Sequence, residues 1–387
     1  MRVGIDASNL RAGGALTHLV ELLRGARPAE SGFDEVIVWG GSSVLSQLED
    51  RSWLRKVPQP LLEQAANPFR DRRHLHRAFW QRFRLRKLAK SAACDVLFVP
   101  GGLDSSGFSP MVTMSQNMMP FEPGEAERYG MGFERARLFL LKRLQTRTFS
   151  RADGVIFLTR YARDTISAVT HRRYPHTVVV PHGVSRRFVC PPRPQRPITE
   201  YTSAAPFRLL YVSTVNLYKH QWHVVDAVAQ LRGEGLPVTL DLVGPAYAAG
   251  SRLLAAKLAG LGPHASAVRY LGAVAYEGLP ELYLKADMKV FASSCENMPI
   301  IMLEAMSAGL PVACSNRGPM PEMLGDAGVY FDPEQPSEIA AALRALLLRP
   351  ELRARNASLS FERALQYTWE RCAQETFEFL AACVRKH

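Results

Sequence analysis

The chain has 387 residues, 47% hydrophobic and 22% charged, which is ample material for buried sheets and long for one core. It carries a formal charge of +12, yet no recognisable nucleic-acid module accompanies the excess, so a nucleic-acid partner is set aside. No run reaches the roughly eighteen uninterrupted apolar residues of a spanning helix, and the six cysteines show no C-x-x-C pairing that would suggest zinc or a disulfide framework.

Strand and helix signals alternate from the first residues, predicting parallel sheets covered by helices. Met1-Arg2-Val3-Gly4-Ile5-Asp6 reads as a first strand rather than a leader, and cytoplasmic residence is the expectation. Strands are predicted at 2–6, 35–39, 95–99, 111–114, 154–158 and 177–180, with helices at 16–24, 133–150 and 160–169. After the first strand, Gly13-Gly14 permits positive φ and close approach of an anion to a helix start. The loop is not G-x-G-x-x-G, so a dehydrogenase fits poorly.

Between Arg70 and Lys90, cations crowd one segment, interleaved with Phe79, Trp80 and Phe83. Apolar positions 75, 79, 83 and 88 approximate one helical face, and a second basic stretch runs from Arg135 to Arg151. Basic helices with aromatics suit an anionic membrane surface, and peripheral attachment through Arg70–Lys90 on the inner face of the cytoplasmic membrane is the expectation.

Proline density in Cys190-Pro191-Pro192-Arg193-Pro194-Gln195-Arg196-Pro197 predicts a boundary. The expected organisation is a first domain over 1–189, a linker over 190–206 and a second domain over 207–368. In the second half, strands are predicted at 208–212, 239–243, 268–271, 288–292, 311–314 and 329–331, with helices at 222–231, 252–261, 279–285 and 299–308.

The most informative stretch follows the strand at 288–292. Small polar residues lead to Glu296-Asn297-Met298-Pro299-Ile300, then a helix carrying Glu304, with Gly309 placed for a left-handed cap and Pro311 enforcing the stop. A strand end meets a helix start there, where backbone N–H groups and the positive dipole end favour phosphate. This Glu-x7-Glu pattern, with Pro321-Glu322…Gly325-Asp326-Ala327-Gly328 shortly after, resembles the retaining nucleotide-sugar glycosyltransferases of family 4. The resemblance implies an α/β fold of two Rossmann-like domains facing across a cleft (GT-B), with a C-terminal helix over 369–387 packing back on the first.

It also implies roles. Glu296 would contact the donor sugar and Glu304 the ribose, while Lys219, Ser213, Gly13, Gly14 and the backbone at Asn297, Met298 and Ile300 would hold the diphosphate. Asn117 and, more loosely, His18 would lie on the acceptor side. Two departures stand out. Thr214 occupies the position of the family's phosphate-binding Arg, leaving the phosphates to backbone N–H groups or to a replacement such as Arg208 or His220, and Gln116 stands for a His. No Asp-x-Asp pair exists, so no metal and no cofactor beyond the nucleotide diphosphate sugar is expected. The acceptor would be a glycan or lipid-linked glycan of bacterial surface polysaccharide or lipopolysaccharide, with GDP-mannose-type or UDP-hexosamine donors. An epimerase of the same architecture, or a non-catalytic nucleotide-sugar-binding subunit, remains open. His182, in a Pro-His-Gly-Val turn, reads as a plain turn residue.

Overall fold

A computed structural model describes residues 1–10, 13–62, 73–174 and 176–386, with the backbone alone at 61 and 73–76. The chain divides into two compact units: domain 1, Met1–Gly183 with Thr368–His387, and domain 2, Val184–Tyr367.

Domain 1 is built on strands β1 (Arg2–Asp6), β2 (Glu35–Gly40), β3 (Leu54–Pro58), β4 (Val96–Val99), β5 (Met111–Met114), β6 (Gly154–Phe157) and β7 (Thr177–Val179). They form one parallel sheet in the order β3-β2-β1-β4-β5-β6-β7. Every residue of β4, β5 and β6 is buried, as continuous apolar runs covered on both faces require. β3 was not among the predicted strands. Its Leu54-Arg55-Lys56-Val57-Pro58 is half-exposed and ends in proline, the composition of an edge strand.

Domain 2 repeats the plan with β8 (Phe207–Val212), β9 (Val238–Val243), β10 (Val268–Tyr270), β11 (Met288–Phe291), β12 (Val312–Ser315) and β13 (Gly328–Phe331). Their order is β10-β9-β8-β11-β12-β13, all parallel. In each sheet the order reverses beside the first strand, between β1 and β4 and between β8 and β11. Open parallel sheets bind ligands outside the carboxyl ends of the strands at such switch points. Two helices absent from the sequence prediction, Pro336–Leu348 and Pro350–Ala364, complete domain 2.

The proline-rich segment does not run free. Cys190 N–H donates to Ser307 O at 2.9 Å, and Arg193 reaches the carbonyls of Leu284 and Ala286. Buried Arg353 donates to Gln195 and Arg196. Upstream of these bonds, Phe188 packs on Tyr276 at 5.5 Å and on Tyr283 at 5.7 Å, and the compact units divide at Gly183–Val184, where the expected first-domain end was 189.

The C-terminal helix Trp369–Val384 belongs to domain 1. A Cβ on Gly183 would lie 2.2 Å from Trp369 N, so only glycine lets the two backbones meet. Phe377 packs edge-on against Phe33 at 6.0 Å. Among the described residues no helix is long and apolar enough to cross a membrane.

The basic segment departs from expectation. Arg70 and Arg72 lie outside the described residues. Beyond them, a helix at Arg73–Trp80 passes through a π-helical turn, Gln81–Leu85, into Arg86–Ser91. Trp80, Leu85 and Ala89 are buried in the core, while Phe79 and Phe83 are 58% and 55% exposed and pack on each other at 4.6 Å. The inward face is therefore 80/85/89, not 79/83. Arg77 and Gln81 join Trp80 on the inward side, and the wider π turn advances the phase by about one residue beyond them, from position 84 to Leu85.

Candidate active site

In domain 2 the loops after β8 and β11 meet at the switch point. Ser213 N–H donates to Val243 O at 2.8 Å, closing the ladder, and Gly244, at φ 136°, lets the loop pass: a Cβ there would lie 2.1 Å from Ser213 O. The loop turns through Leu217–Lys219, with Asn216 Oδ1 capping at Leu217 N (2.7 Å), and leaves through His220 in the left-handed conformation. Hydrogen bonds fasten this loop to the residues after β11: Ser294 N–H donates to Tyr218 O (2.9 Å), His220 Nε2 pairs with Ser294 Oγ (2.9 Å), and Ser293 Oγ reaches Tyr218 O (3.3 Å).

That fastening brings Lys219 and Glu296, 77 positions apart, into an ion pair between Nζ and Oε1. Their side chains are 6% and 13% exposed. The Lys219 ammonium also lies 4.9 Å from the Tyr218 ring centroid and 5.2 Å from that of Phe291. The turn at Gly318 (φ 65°) brings the loop after β12 over Glu296, 3.8 Å from its backbone N to a Cβ built on the glycine. Asn297, Met298 and Ile300 are buried where the loop enters the helix Ile300–Ser307. Pro299 is the residue before that helix, one position earlier than predicted. Gly309 takes the left-handed cap, φ 65°.

Glu304 sits deeper. It is 1% exposed, and Tyr283 Oη donates to its Oε2 at 3.0 Å. Burial lifts its carboxyl to about 7, against the Tyr283 bond and the positive charge of Lys289. Lys289 was missed by the sequence reading. It is fully buried in β11, donates to Val212 O at 3.2 Å, and burial brings its ammonium down to about 7. The one signal was a lysine inside an otherwise apolar strand.

The replacements suggested for the missing Arg do not serve. Arg208 is the second residue of β8, near the amino end of the strand, and is exposed, whereas the site lies at the carboxyl ends. His220 is buried with its Nε2 on Ser294.

In domain 1, Gly13 (φ 72°) precedes the helix Gly14–Gly25, and a Cβ there would meet nothing within 4 Å. Asn117 is exposed, its Oδ1 accepting from Met119 N at 3.1 Å. His18, expected on the acceptor side, has no exposed surface in this structure. Its Nδ1 faces His182 Nδ1 at 3.0 Å, and both rings lie against Trp369. His182 is thus a packing residue as well as a turn residue. Burial lowers His18 to about 4 and His182 well below the ordinary imidazole range. Among the described residues no cluster of three or more His, Cys, Asp or Glu side chains is placed to hold a metal ion.

Residues 202–358 match the family described as "Glycosyl transferases group 1". The chain is 39% identical over 109 residues to O-antigen chain mannosyltransferase B of Escherichia coli, covering 28% of this chain and 29% of that protein. It is 27% identical over 242 residues to a GDP-mannose-dependent alpha-(1-6)-phosphatidylinositol dimannoside mannosyltransferase of Mycobacterium tuberculosis, covering 61% of this chain and 59% of that one. The matches thus span less than two thirds of either curated relative. Among solved structures, sucrose-phosphate synthase from Thermosynechococcus elongatus superposes with a TM-score of 0.75 at 17% identity, covering 97% of both chains. Anabaena HepE in complex with UDP-glucose gives 0.73 at 19% identity, covering 99% of this chain and 100% of that one. At such identities the likeness establishes the fold, two Rossmann-like domains of the GT-B type. The GT-B fold runs through the whole chain, and within it residues 202–358 are similar to the glycosyl transferases group 1 family.

Proposed function

We propose that this protein transfers a hexose from a nucleotide diphosphate sugar to a hydroxyl of a glycan or lipid-linked glycan, with retention at the anomeric carbon. The observation that carries the reading is the Lys219–Glu296 pair at the domain 2 switch point, with Glu304 behind it, all within the family-matched residues. A cation beside a helix start suits a leaving diphosphate, whose charge develops as the glycosidic bond breaks. Glu296 exchanges its Lys219 contact for the sugar hydroxyls, and Glu304 accepts from the ribose. Ser213 and the backbone from Asn297 to Ile300 hold the phosphates, Gly13 and Gly14 keep the role the family resemblance implies, and Asn117 serves the acceptor. Lys219 and backbone N–H groups meet the diphosphate charge, so turnover survives EDTA; strict manganese dependence overturns this.

Mannose from GDP-mannose is the first donor to test, because both sequence relatives carry mannosyltransferase names. Bacterial surface-polysaccharide assembly at the inner face of the cytoplasmic membrane is the corresponding setting. A panel of GDP- and UDP-sugars read by protection against thermal unfolding identifies the donor, since ligand at a hundredfold its Kd contributes about 2.7 kcal/mol. Free epimerised nucleotide sugar in place of transfer favours the epimerase, and binding without turnover across acceptors favours a binding subunit.

The lipid-linked acceptor is reached through a membrane-facing surface of domain 1. Exposed Phe79 and Phe83 stand among exposed Arg82, Arg84, Arg86, Lys87 and Lys90. The helix Phe133–Arg151 exposes Phe133, Phe139 and Leu140, with Arg143 over the Phe139 ring at 4.5 Å. Trp80, being buried, takes no part. Co-sedimentation with anionic liposomes that is lost in Phe79→Ser/Phe83→Ser supports this surface; no co-sedimentation at low salt refutes it.

A further inference from the structure

Lysine is almost never fully buried without a partner, and a methionine would fill the same space without the desolvation cost. Lys289 nevertheless stands in the central strand of domain 2 with no exposed surface. Its ammonium lies 5.6 Å from the Tyr283 ring centroid, 5.6 Å from that of Phe291 and 5.8 Å from that of Tyr211, and it donates to Val212 O where β8 ends. Tyr283 touches both charges of interest, its ring beneath the Lys289 ammonium and its hydroxyl on the Glu304 carboxylate. Phe291 in turn faces both lysines, Lys219 at 5.2 Å and Lys289 at 5.6 Å. Shared rings thus link the two pairs: Phe291 lies near Lys219, which pairs with Glu296, and Tyr283 lies near Lys289 and bonds Glu304.

We propose that Lys289 is a positioning residue for the donor site, a buried cation that holds Glu304 as a carboxylate for the ribose hydroxyls. It also places positive charge beneath the Val212–Ser213 turn, where Thr214 supplies none. This rests on the donor-site reading given above. The groups facing the pair are Tyr211 and Lys219 from β8 and its loop, Tyr283 and Tyr276 from the helix Leu279–Lys285 and the turn before it, and Arg187 from the segment entering domain 2. Arg187, stacked over the Tyr276 ring at 5.0 Å, and Tyr276 also bear on Glu304, while Lys289 is the cation that the sheet itself provides. Glu304 and Lys289 both sit near 7, each drawn toward neutrality by burial and toward charge by the other. Removing the ammonium leaves Glu304 with burial less opposed. Its carboxyl then rises further, and at pH 7 it is protonated and a poorer acceptor.

The test is binding of GDP and UDP by calorimetry from pH 6 to 9 on the full chain, comparing wild type, Lys289→Met, Glu304→Gln and the double variant. Lys289→Met weakens binding of the preferred nucleotide at least about tenfold at pH 7, equivalent to 1.4 kcal/mol. Its affinity recovers only at higher pH, with the midpoint displaced upward by about one unit or more. In the Glu304→Gln background the same substitution changes affinity less than about twofold, because the group it acts through is gone. Should Lys289→Met not fold, the double variant, which removes both charges, is compared with Glu304→Gln alone and the same near-identity is expected. Unchanged affinity and midpoint in Lys289→Met, or losses that simply add in the double variant, overturn the inference. Wild-type protein that binds neither nucleotide overturns the donor site itself, a separate failure.

Discussion

Lys219 and Glu296 pair with little water around them, and removing one charge at a time exposes what the pair does. Lys219→Met leaves the Glu296 carboxylate without this cation, with its side chain only 13% exposed. Stranding one member of a buried pair costs about 3–5 kcal/mol; partial exposure here argues for the lower end, about 3 kcal/mol. In a domain of this size that lowers the melting transition by about 6–12 °C. Lys219→Met/Glu296→Gln strands no charge and returns most of the loss, so the two substitutions couple with a sign opposite to addition. Differential scanning calorimetry is the assay, following the transition of domain 2 separately because a two-domain chain need not unfold in one step. Nucleoside diphosphate binding is lost in the single Lys219 variant and stays lost in the stable double variant, which separates the phosphate contact from the fold. Single variants that shift the transition by less than about 1 °C and add in the double would refute the reasoning.

Glu296→Gln removes turnover while nucleotide binding, measured by calorimetry, stays within a few-fold, whereas Glu304→Ala weakens nucleotide binding itself. Domain 1 loses stability on acidification through His18 and His182. Their folded pKa values lie below the ordinary 6.5, so the stabilisation is full above that value and drains away as pH falls toward about 4. Urea titrations at pH 7 and 5 detect the drop, and His18→Asn flattens it. Gly183→Ala drives a methyl into the Trp369 backbone and costs about 1–3 kcal/mol, read as a lower unfolding midpoint of domain 1.

What the sequence made legible was whatever is local. The strand–Glu–helix–Gly run around Glu296, the Lys219 loop and twelve strands were readable because each depends on residues within one turn or one run. The rest depends on distant parts of the chain. His18 looked like a wall residue because nothing near it announces that the turn at His182 and the helix starting at Trp369 close over it. The inward face of the basic segment was misjudged because it carries polar Arg77 and Gln81, bonded to Asn9 and Asp6, and because the π turn at Gln81–Leu85 shifts the phase beyond them. Lys289 passed unnoticed inside a strand reading, although a lysine where both faces are buried asks for a partner. Arg208 is misplaced for a phosphate for a topological reason: it lies near the amino end of β8, whereas the site lies beyond the carboxyl end.

The central claim is glycosyl transfer at the Lys219–Glu296–Glu304 group, and the direct measurement is product formation. The protein is incubated with GDP-mannose and with UDP-sugars in the presence of glycan and lipid-linked acceptors. Released nucleoside diphosphate is quantified, and NMR reads the anomeric configuration of the new linkage. The account predicts a glycoside with the donor's own anomeric configuration, absent in Glu296→Gln. A product of inverted configuration, or undiminished transfer by Glu296→Gln and Glu304→Ala together, would contradict it.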